Sequence, residues 1–153
     1  MKEIQTLTGT LNRGFVGNIT YNFNLESSYD KLYICLTYDN EKIRTADNQF
    51  KNKIEEAYEN HYGFKLCDNQ LQDVIKSMKT EIQLAAFING SFAGNIHMPG
   101  TKKEMILSPV ISSNGCIPCK NMTGLLKIVI NAFSVLENHT SYTLEIKGEE
   151  QHV

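Results

Sequence analysis

Residues 15–25, FVGNITYNFNL, decide the fold class of this 153-residue chain. Apolar and polar residues alternate along the stretch, and a period of two places the two sets on opposite faces of a β-strand. The pattern predicts a strand with one face on a core and the other in water. The apolar set is Phe15, Gly17, Ile19, Tyr21, Phe23 and Leu25.

The next segment, KLYICLTY at residues 31–38, repeats the alternation. Its apolar face carries Leu32, Ile34, Leu36 and Tyr38. Cys35 and Tyr33 fall on the opposite face. A cysteine within a strand is more often packed than reactive, so we expect Cys35 to be a packing residue.

The period changes to that of a helix after Asp47, which suits an N-cap, and this helix is expected to end before Gly63. A second amphipathic stretch follows Asp68. The sequence therefore predicts a two-helix insertion around residues 47–78.

Short apolar segments bounded by Asn89-Gly90 and Pro99-Gly100 then continue to the end of the chain. Many short strands with one helical excursion predict a mainly β protein, an antiparallel β-sandwich of jelly-roll-like form. We expect a single domain over residues 1–148 and a disordered tail at residues 149–153.

Net charge and hydropathy limit the classes of partner that we expect this chain to bind. Fifteen basic and seventeen acidic residues give a formal net charge of -2, without the basic surface that nucleic acid requires. No apolar run approaches the roughly 20 residues of a membrane span, and residues 1–14 lack an apolar signal core. We expect a cytoplasmic protein with reduced cysteines, no cofactor, and neither nucleic acid nor membrane as a partner.

Cys116 and Cys119 form a C-x-x-C pair in the segment SSNGCIPCKNMTG, residues 112–124. A thioredoxin-type dithiol needs a helix N-terminus at its first cysteine, whereas the residues after Cys119 lead into a strand. A structural zinc site needs four ligands, and His97 is a candidate to join the pair. We favour two packed loop thiols, and a redox or zinc site remains the alternative.

Signatures of catalysis are absent from the sequence. There is no H-x-H or H-E-x-x-H metal motif, no G-x-S-x-G elbow and no phosphate-binding loop. We therefore expect a protein that is not an enzyme. Tyr33, which points away from the apolar face of its strand, is a candidate ligand-binding residue, and a carbohydrate-binding module is a further alternative.

Three segments together carry a family resemblance: GFVGNITYNFNLESSYDKLYICLTYD at residues 14–39, LAAFINGSFAGNIHM at 84–98, and the stretch from 111 to 146 that ends in YTLEI. They resemble the β-sandwich found N-terminal to the catalytic domain of PHP-type (polymerase and histidinol phosphatase) metallohydrolases, including a Y-D-x-L strand entry at Tyr29, Asp30 and Leu32.

In that family the metal ligands belong to the domain that follows the sandwich. The resemblance therefore implies an accessory module without catalytic residues, and it makes Cys116 and Cys119 local variation in a loop. We expect a module that acts by binding or assembly, with a separately encoded hydrolase or another protein as its partner. A homodimer through sandwich edges is compatible with this expectation.

Overall fold

The computed structural model describes residues 1–152 and contains seven strands and two helices. In chain order they are β1 Lys2–Leu11, β2 Gly17–Tyr38, α1 Asn48–Tyr62, α2 Asp68–Ser77, β3 Glu81–Ile88, β4 Ser91–Ile96, β5 Lys102–Leu107, β6 Met122–Ser134 and β7 Thr140–Glu150. All strand pairs are antiparallel. The mainly β, sandwich-like fold with a two-helix insertion is confirmed.

The long strand β2 serves both layers of the sandwich. Residues 17–25 pair with β6, whereas residues 32–37 lie between β5 and β7. The pairing with β6 shifts register between Leu25 and Tyr29, and such a bulge bends a strand. The bend lets one continuous sheet fold back on itself.

The fold gives two four-stranded layers that share β2. One layer has the order β2-β6-β3-β4 and the other has the order β1-β7-β2-β5. All seven strands contribute to one buried apolar cluster between the layers. Leu32, Ile34 and Leu36 have no exposed surface, which confirms the predicted inward face of that segment.

One side of the sandwich is closed by residues 108–119, which we call the strap. The amide of Ser113 donates to the carbonyl of Ile106 in β5, and the amide of Cys119 donates to the carbonyl of Ser108 at the start of the strap. It also pairs with β4, because the amide of Ile117 donates to the carbonyl of Ala93. The strap therefore covers the free edge of β4 and joins it to β5.

The helices pack mainly on each other and on Leu136, in a small second apolar cluster with Phe50, Ile54 and Leu71. As predicted, Asp47 caps α1, accepting a bond from the amide of Phe50 at 2.7 Å, and Gly63 ends it in the left-handed region. The predicted insertion is thus confirmed in type and place.

Arg13 attaches this insertion to the sandwich. Its guanidinium donates to the carbonyl of Leu136 at 2.7 Å and to the carboxylate of Asp47 at 3.3 Å. Its charged carbon also lies 5.0 Å from the centre of the Phe50 ring. A residue of the β1–β2 turn therefore contacts the start of α1 and the end of β6.

Asn89 and Gly90 form the predicted tight turn between β3 and β4, both with positive φ. The Asn89 side chain also bonds to the amide of Leu125 and the carbonyl of Thr123, at 2.8 Å each. This anchors β6 next to the turn.

At the other end of the chain, β7 continues to Glu150, so residues 149 and 150, predicted to belong to a disordered tail, are paired strand residues. Strand pairing with β2 explains the difference, and Val153 lies outside the described residues.

Candidate functional site

The cysteines of the C-x-x-C pair lie in the strap and pack against the main core. The Ser113 hydroxyl donates to the sulfur of Cys116, and the Cys119 thiol donates to the carbonyl of Ile117. Burial raises the pKa of both thiols, and the neighbouring Cys116 raises that of Cys119 further. Neither cysteine stands at a helix N-terminus. The geometry favours packing over thiolate chemistry.

His97 does not join these cysteines in a metal-binding group. Within the part of the chain that the structure describes, residues 1–152, no three His, Cys, Asp or Glu side chains are grouped to hold a metal ion. The imidazole of His97 is exposed just beyond β4 and lines a small cavity of about 70 Å³ beside Lys103.

Lys103 is the most buried charged side chain of this cavity, with 3% of its surface exposed. Its ammonium donates to the carbonyl of Gly100 at 2.8 Å and to that of Met98, and lies 5.9 Å from the centre of the Tyr38 ring. Burial lowers the pKa of Lys103. Because its ammonium is bonded to backbone carbonyls, Lys103 holds the turn before β5.

Tyr33 lies half-buried on the outer face of the β1-β7-β2-β5 layer. Its hydroxyl donates to the carboxylate of Glu104 at 2.6 Å, and Glu104 also pairs with Lys102 at 3.0 Å. Burial and the bond to Glu104 raise the pKa of Tyr33. The neighbouring Cys35 is buried, as predicted. The Tyr33 hydroxyl is therefore already engaged within the sheet.

A groove of about 580 Å³ separates α1 from the end of β6. Phe50 and Ile54 line it from the helix, and the exposed side chains of Val16 and Phe133 line it from the sandwich. The walls offer apolar contact. The bonds of Arg13 to Leu136 and Asp47, described above, leave that guanidinium engaged within the chain.

A second gap, which we call the seam, runs between β1 and residues 17–25 of β2. Among residues 1–152, β1 has β7 as its strand partner on one side, and residues 17–25 have β6 on one side. The facing edges of the two strands exchange no ladder hydrogen bonds. The seam is therefore the one side of the sandwich, within the described residues, that neither a strand nor the strap closes.

The direction of the unpaired backbone groups follows from the neighbouring strand. The backbone of Leu125 bonds to Asn89 on the β3 side, both through its amide and through its carbonyl. Asn24, the partner of Leu125 in the ladder, is then in a non-hydrogen-bonded pair with β6. By alternation the backbone groups of Asn18, Thr20, Asn22 and Asn24 point into the seam.

Apolar side chains form the floor of the seam. Ile4, Leu7, Ile19, Tyr21 and Phe23 are half-buried and pack against the main core. The Tyr21 and Phe23 rings are stacked, with centroids 6.2 Å apart. The floor is thus core surface that remains partly in contact with water.

Acidic side chains surround the end of the seam nearest the bend in β2. A cavity of about 610 Å³ there is lined by Glu3, Glu26 and Glu150, with Lys2 as the basic member. Lys2 lies 3.9 Å from Glu150. Tyr29 lies between these groups, and its pKa is raised by burial first and then by the charges of Glu150 and Glu26.

Sequence reasoning did not identify the seam. The alternation predicts an ordinary strand for residues 15–25, and no strand is predicted for residues 2–11. The alternation of Ile4 with its polar neighbours and of Leu7 with Thr6 and Thr8 was the available signal for β1. The absence of a strand between β1 and β2 is a property of the topology, which period and composition do not encode.

A family model matches residues 1–151, and its description is a family of unknown function, DUF6669. No curated protein matches the chain. Among the helices of residues 1–152, none combines the length and the apolar character needed to cross a membrane. The resemblance to the PHP-associated sandwich stays an expectation.

Proposed function

Because the chain belongs to the DUF6669 family, whose function is unknown, we propose from its geometry that it is a non-catalytic binding module. It binds an extended segment of another protein as an added strand in the seam. Strand addition uses main-chain hydrogen bonds for affinity and side-chain pockets for specificity. The seam supplies both kinds of contact.

The observation that carries the proposal is the composition of the free edge of β2. Proteins usually protect an edge strand with charges, proline, a bulge or a covering loop. The segment GNITYNFNL, residues 17–25, contains no charged residue and no proline. At about 3.3 Å per residue it spans about 30 Å, long enough for a peptide of several residues.

The other edges carry such protection. β1 has a bulge between Glu3 and Gln5 and a lysine at its start. The edge of β4 is covered by the strap, and β5 begins with Lys102 and Lys103. The edges of β1, β4 and β5 are protected, whereas the edge of β2 at residues 17–25 is not. This difference favours a role for the β2 edge in binding.

The half-buried floor of the seam would contribute apolar contacts to the free energy of binding. An added strand would cover the exposed parts of Ile19, Tyr21 and Phe23, and burial of apolar surface contributes about 25 cal/mol per Å². Its own side chains would alternate, apolar toward this floor and polar toward water. The proposed partner segment therefore has β-branched or aromatic residues at every second position.

A separately encoded hydrolase, as the PHP resemblance suggests, is one proposed source of this segment. We also propose a cytoplasmic location, supported by four cysteines that are all free. A homodimer through the same edge would be strand addition with a second copy as the donor.

The test is selection of a phage-displayed library of random seven-residue peptides on immobilised wild-type protein and on two variants. Asn22→Pro removes a backbone N–H that points into the seam and leaves the β6 ladder intact, whereas Asn22→Ala keeps that N–H. We expect peptides that bind the wild type and Asn22→Ala but lose at least tenfold in affinity for Asn22→Pro.

Circular dichroism and urea unfolding of all three proteins establish that each is folded. Peptides that bind the folded Asn22→Pro variant as well as Asn22→Ala would overturn the proposal. So would the failure of any peptide to be enriched on the wild type.

A further inference from the structure

We infer that the segment bound in the seam carries a lysine or arginine at the end that lies beside the bend in β2. This inference rests on the proposed function and names the chemistry of the partner. Its basis is the distribution of charge along the seam, which is unequal at the two ends.

The charged end of the seam has three carboxylates and one ammonium. The cavity there is lined by Glu3, Glu26, Glu150 and Lys2. Among these four groups, one ion pair forms, between Lys2 and Glu150 at 3.9 Å. Within residues 1–152, Glu3 and Glu26 have no basic partner within 4 Å. Glu3 accepts a hydrogen bond from the Thr6 hydroxyl at 3.0 Å, which fixes its carboxylate near the β1 backbone.

The negative potential of this end also acts on a neighbouring side chain. Glu150 and Glu26 both favour the neutral form of the Tyr29 phenol, and so add to the effect of burial on its pKa. The ring of Tyr29 is buried and packs over Gly148 of β7, where a Cβ would lie 2.4 Å from ring carbon Cδ1. The carboxylates therefore share their cavity with a buried, closely packed aromatic ring.

The rest of the β2 edge is neutral. Residues 17–25 place asparagine and threonine side chains, Asn18, Thr20, Asn22 and Asn24, on the water side of the strand. No other charge along this strand edge would attract or repel the body of the added segment. Charge recognition is confined to the end beside Glu3 and Glu26, where complementary charges favour one terminus and one register.

A basic terminus would place its charge between Glu3 and Glu26 while the main chain pairs with the backbone groups of Asn22 and Asn24. An acidic terminus would meet like charges at the same place. Because strand pairing alone permits slippage by two residues, the charge contact also sets the register of the added strand.

The experiment uses four synthetic peptides with the same alternating body. Acetyl-KVTVTVT-amide and acetyl-TVTVTVK-amide carry one lysine at either end, on the same face as the threonines, which covers both chain directions. The matching pair has glutamate in place of lysine. Binding to the wild type is measured by isothermal titration at low and high salt. We expect one lysine peptide to bind about tenfold more tightly than either glutamate peptide, with the difference lost at high salt.

Two variants locate the effect. Glu3→Gln/Glu26→Gln removes the two unpaired carboxylates of the seam, and we expect it to abolish the preference for lysine. Glu55→Gln/Glu56→Gln makes the same change in net charge on α1 and serves as the matched control, with the preference retained. Hydrogen exchange of the amides of Asn22 and Asn24 reports whether the bound peptide lies in the seam.

The outcomes separate the inference from the proposed function. Equal affinity of lysine and glutamate peptides, with protection of the Asn22 and Asn24 amides, would overturn the inference and leave strand addition standing. A lysine preference that survives in Glu3→Gln/Glu26→Gln would also overturn it. Lysine binding without protection of these amides would count against both, because the peptide would then lie elsewhere on the protein.

Discussion

The hydroxyl groups of Tyr21 and Tyr142 lie 2.7 Å apart, and this hydrogen bond joins the two layers of the sandwich beneath the seam. Tyr142 comes from β7 and Tyr21 from the free edge of β2. Burial raises the pKa of Tyr142, and its bond to Tyr21 adds to that effect. The pair therefore links residues 17–25 of β2 to β7, the strand with which β1 pairs.

Loss of this bond should reduce the stability of the fold. We expect Tyr142→Phe and Tyr21→Phe each to lower the free energy of unfolding by about 1 kcal/mol, because each leaves one half-buried hydroxyl without its partner. In the double variant the second change should cost little more. Urea unfolding of the four proteins measures this coupling, and strictly additive effects would show that the two hydroxyls do not interact.

Gly9 has little room for a side chain. A Cβ at this position would lie 2.4 Å from Cζ of the Tyr142 ring, which packs over the glycine. We expect Gly9→Ala to destabilise the protein by about 1–3 kcal/mol through overpacking. The neighbouring Thr10→Ala, at an exposed position of β1, is the matched control, and equal unfolding free energies for the two variants would contradict the expected crowding.

Arg13 should determine whether the helical insertion stays attached. We expect Arg13→Ala to speed hydrogen exchange in α1 and α2 while exchange in β3 and β6 stays slow, because the contacts to Asp47, Phe50 and Leu136 are lost together. Arg13→Lys should give an intermediate result, since an ammonium lacks the planar fork of a guanidinium. Arg44→Ala, which removes a more exposed ion pair to Glu137, is the control.

Uniform acceleration of exchange throughout the chain in Arg13→Ala would show that the insertion does not open independently. It would also mean that Arg13 stabilises the sandwich itself, in addition to the contacts with α1.

The four thiols should differ in their rates of alkylation. Cys67 is exposed at the start of α2, Cys116 and Cys119 are half-buried with raised pKa values, and Cys35 is buried with a raised pKa. We expect Cys67 to react first and Cys35 last, measured by mass spectrometry under reducing conditions. Preferential reaction of Cys116, or zinc that is lost in Cys116→Ser/Cys119→Ser, would support the thiol or zinc alternative instead.

Stability should fall at alkaline pH as a consequence of tyrosine burial. Burial raises the pKa of Tyr38 to about 12, and the charges of Glu41 and Glu81 add to this effect. A tyrosine in the unfolded chain loses its proton near pH 10. The contribution of Tyr38 is therefore fully present below about pH 10 and is lost as the pH rises toward 12.

Urea unfolding midpoints measured between roughly pH 9 and pH 12 test this contribution, because this range brackets the pKa of tyrosine in the unfolded and the folded chain. We expect Tyr38→Phe to lose less stability over that range than the wild type, and Tyr62→Phe, at an exposed position of α1, to behave as the wild type does. Parallel curves for the Tyr38 variant and the wild type would contradict the prediction.

Local periodicity was sufficient for much of the fold. The alternation around Tyr33 and Ile34 and the helical period between Asp47 and Gly63 depend on side chains a few residues apart, and the structure confirms both. The Asn89-Gly90 turn followed from the same local chemistry, because its two positive φ angles suit these residue types.

The site depends on contacts between distant segments, which single-sequence patterns do not carry. Tyr21 is half-buried because no strand pairs with the edge of β2 that faces the seam; a strand at that edge would bury it further. The strap likewise acquires its role by pairing with Ala93 and Ile106 at once. The pairing of residues 149 and 150 was missed for the same reason, since β7 finds its partner more than a hundred residues away.

The position of β7 in the sheet has a consequence for how the chain is synthesised. β7 lies between β1 and the second half of β2, yet it is the last of the described strands to leave the ribosome. Until residues 140–150 emerge, β1 has no strand to pair with, and the apolar face of Leu32 and Ile34 lacks one of its neighbours. The nascent chain therefore exposes unpaired strand edges until β7 has emerged, and we expect a holding chaperone to protect it most during that interval.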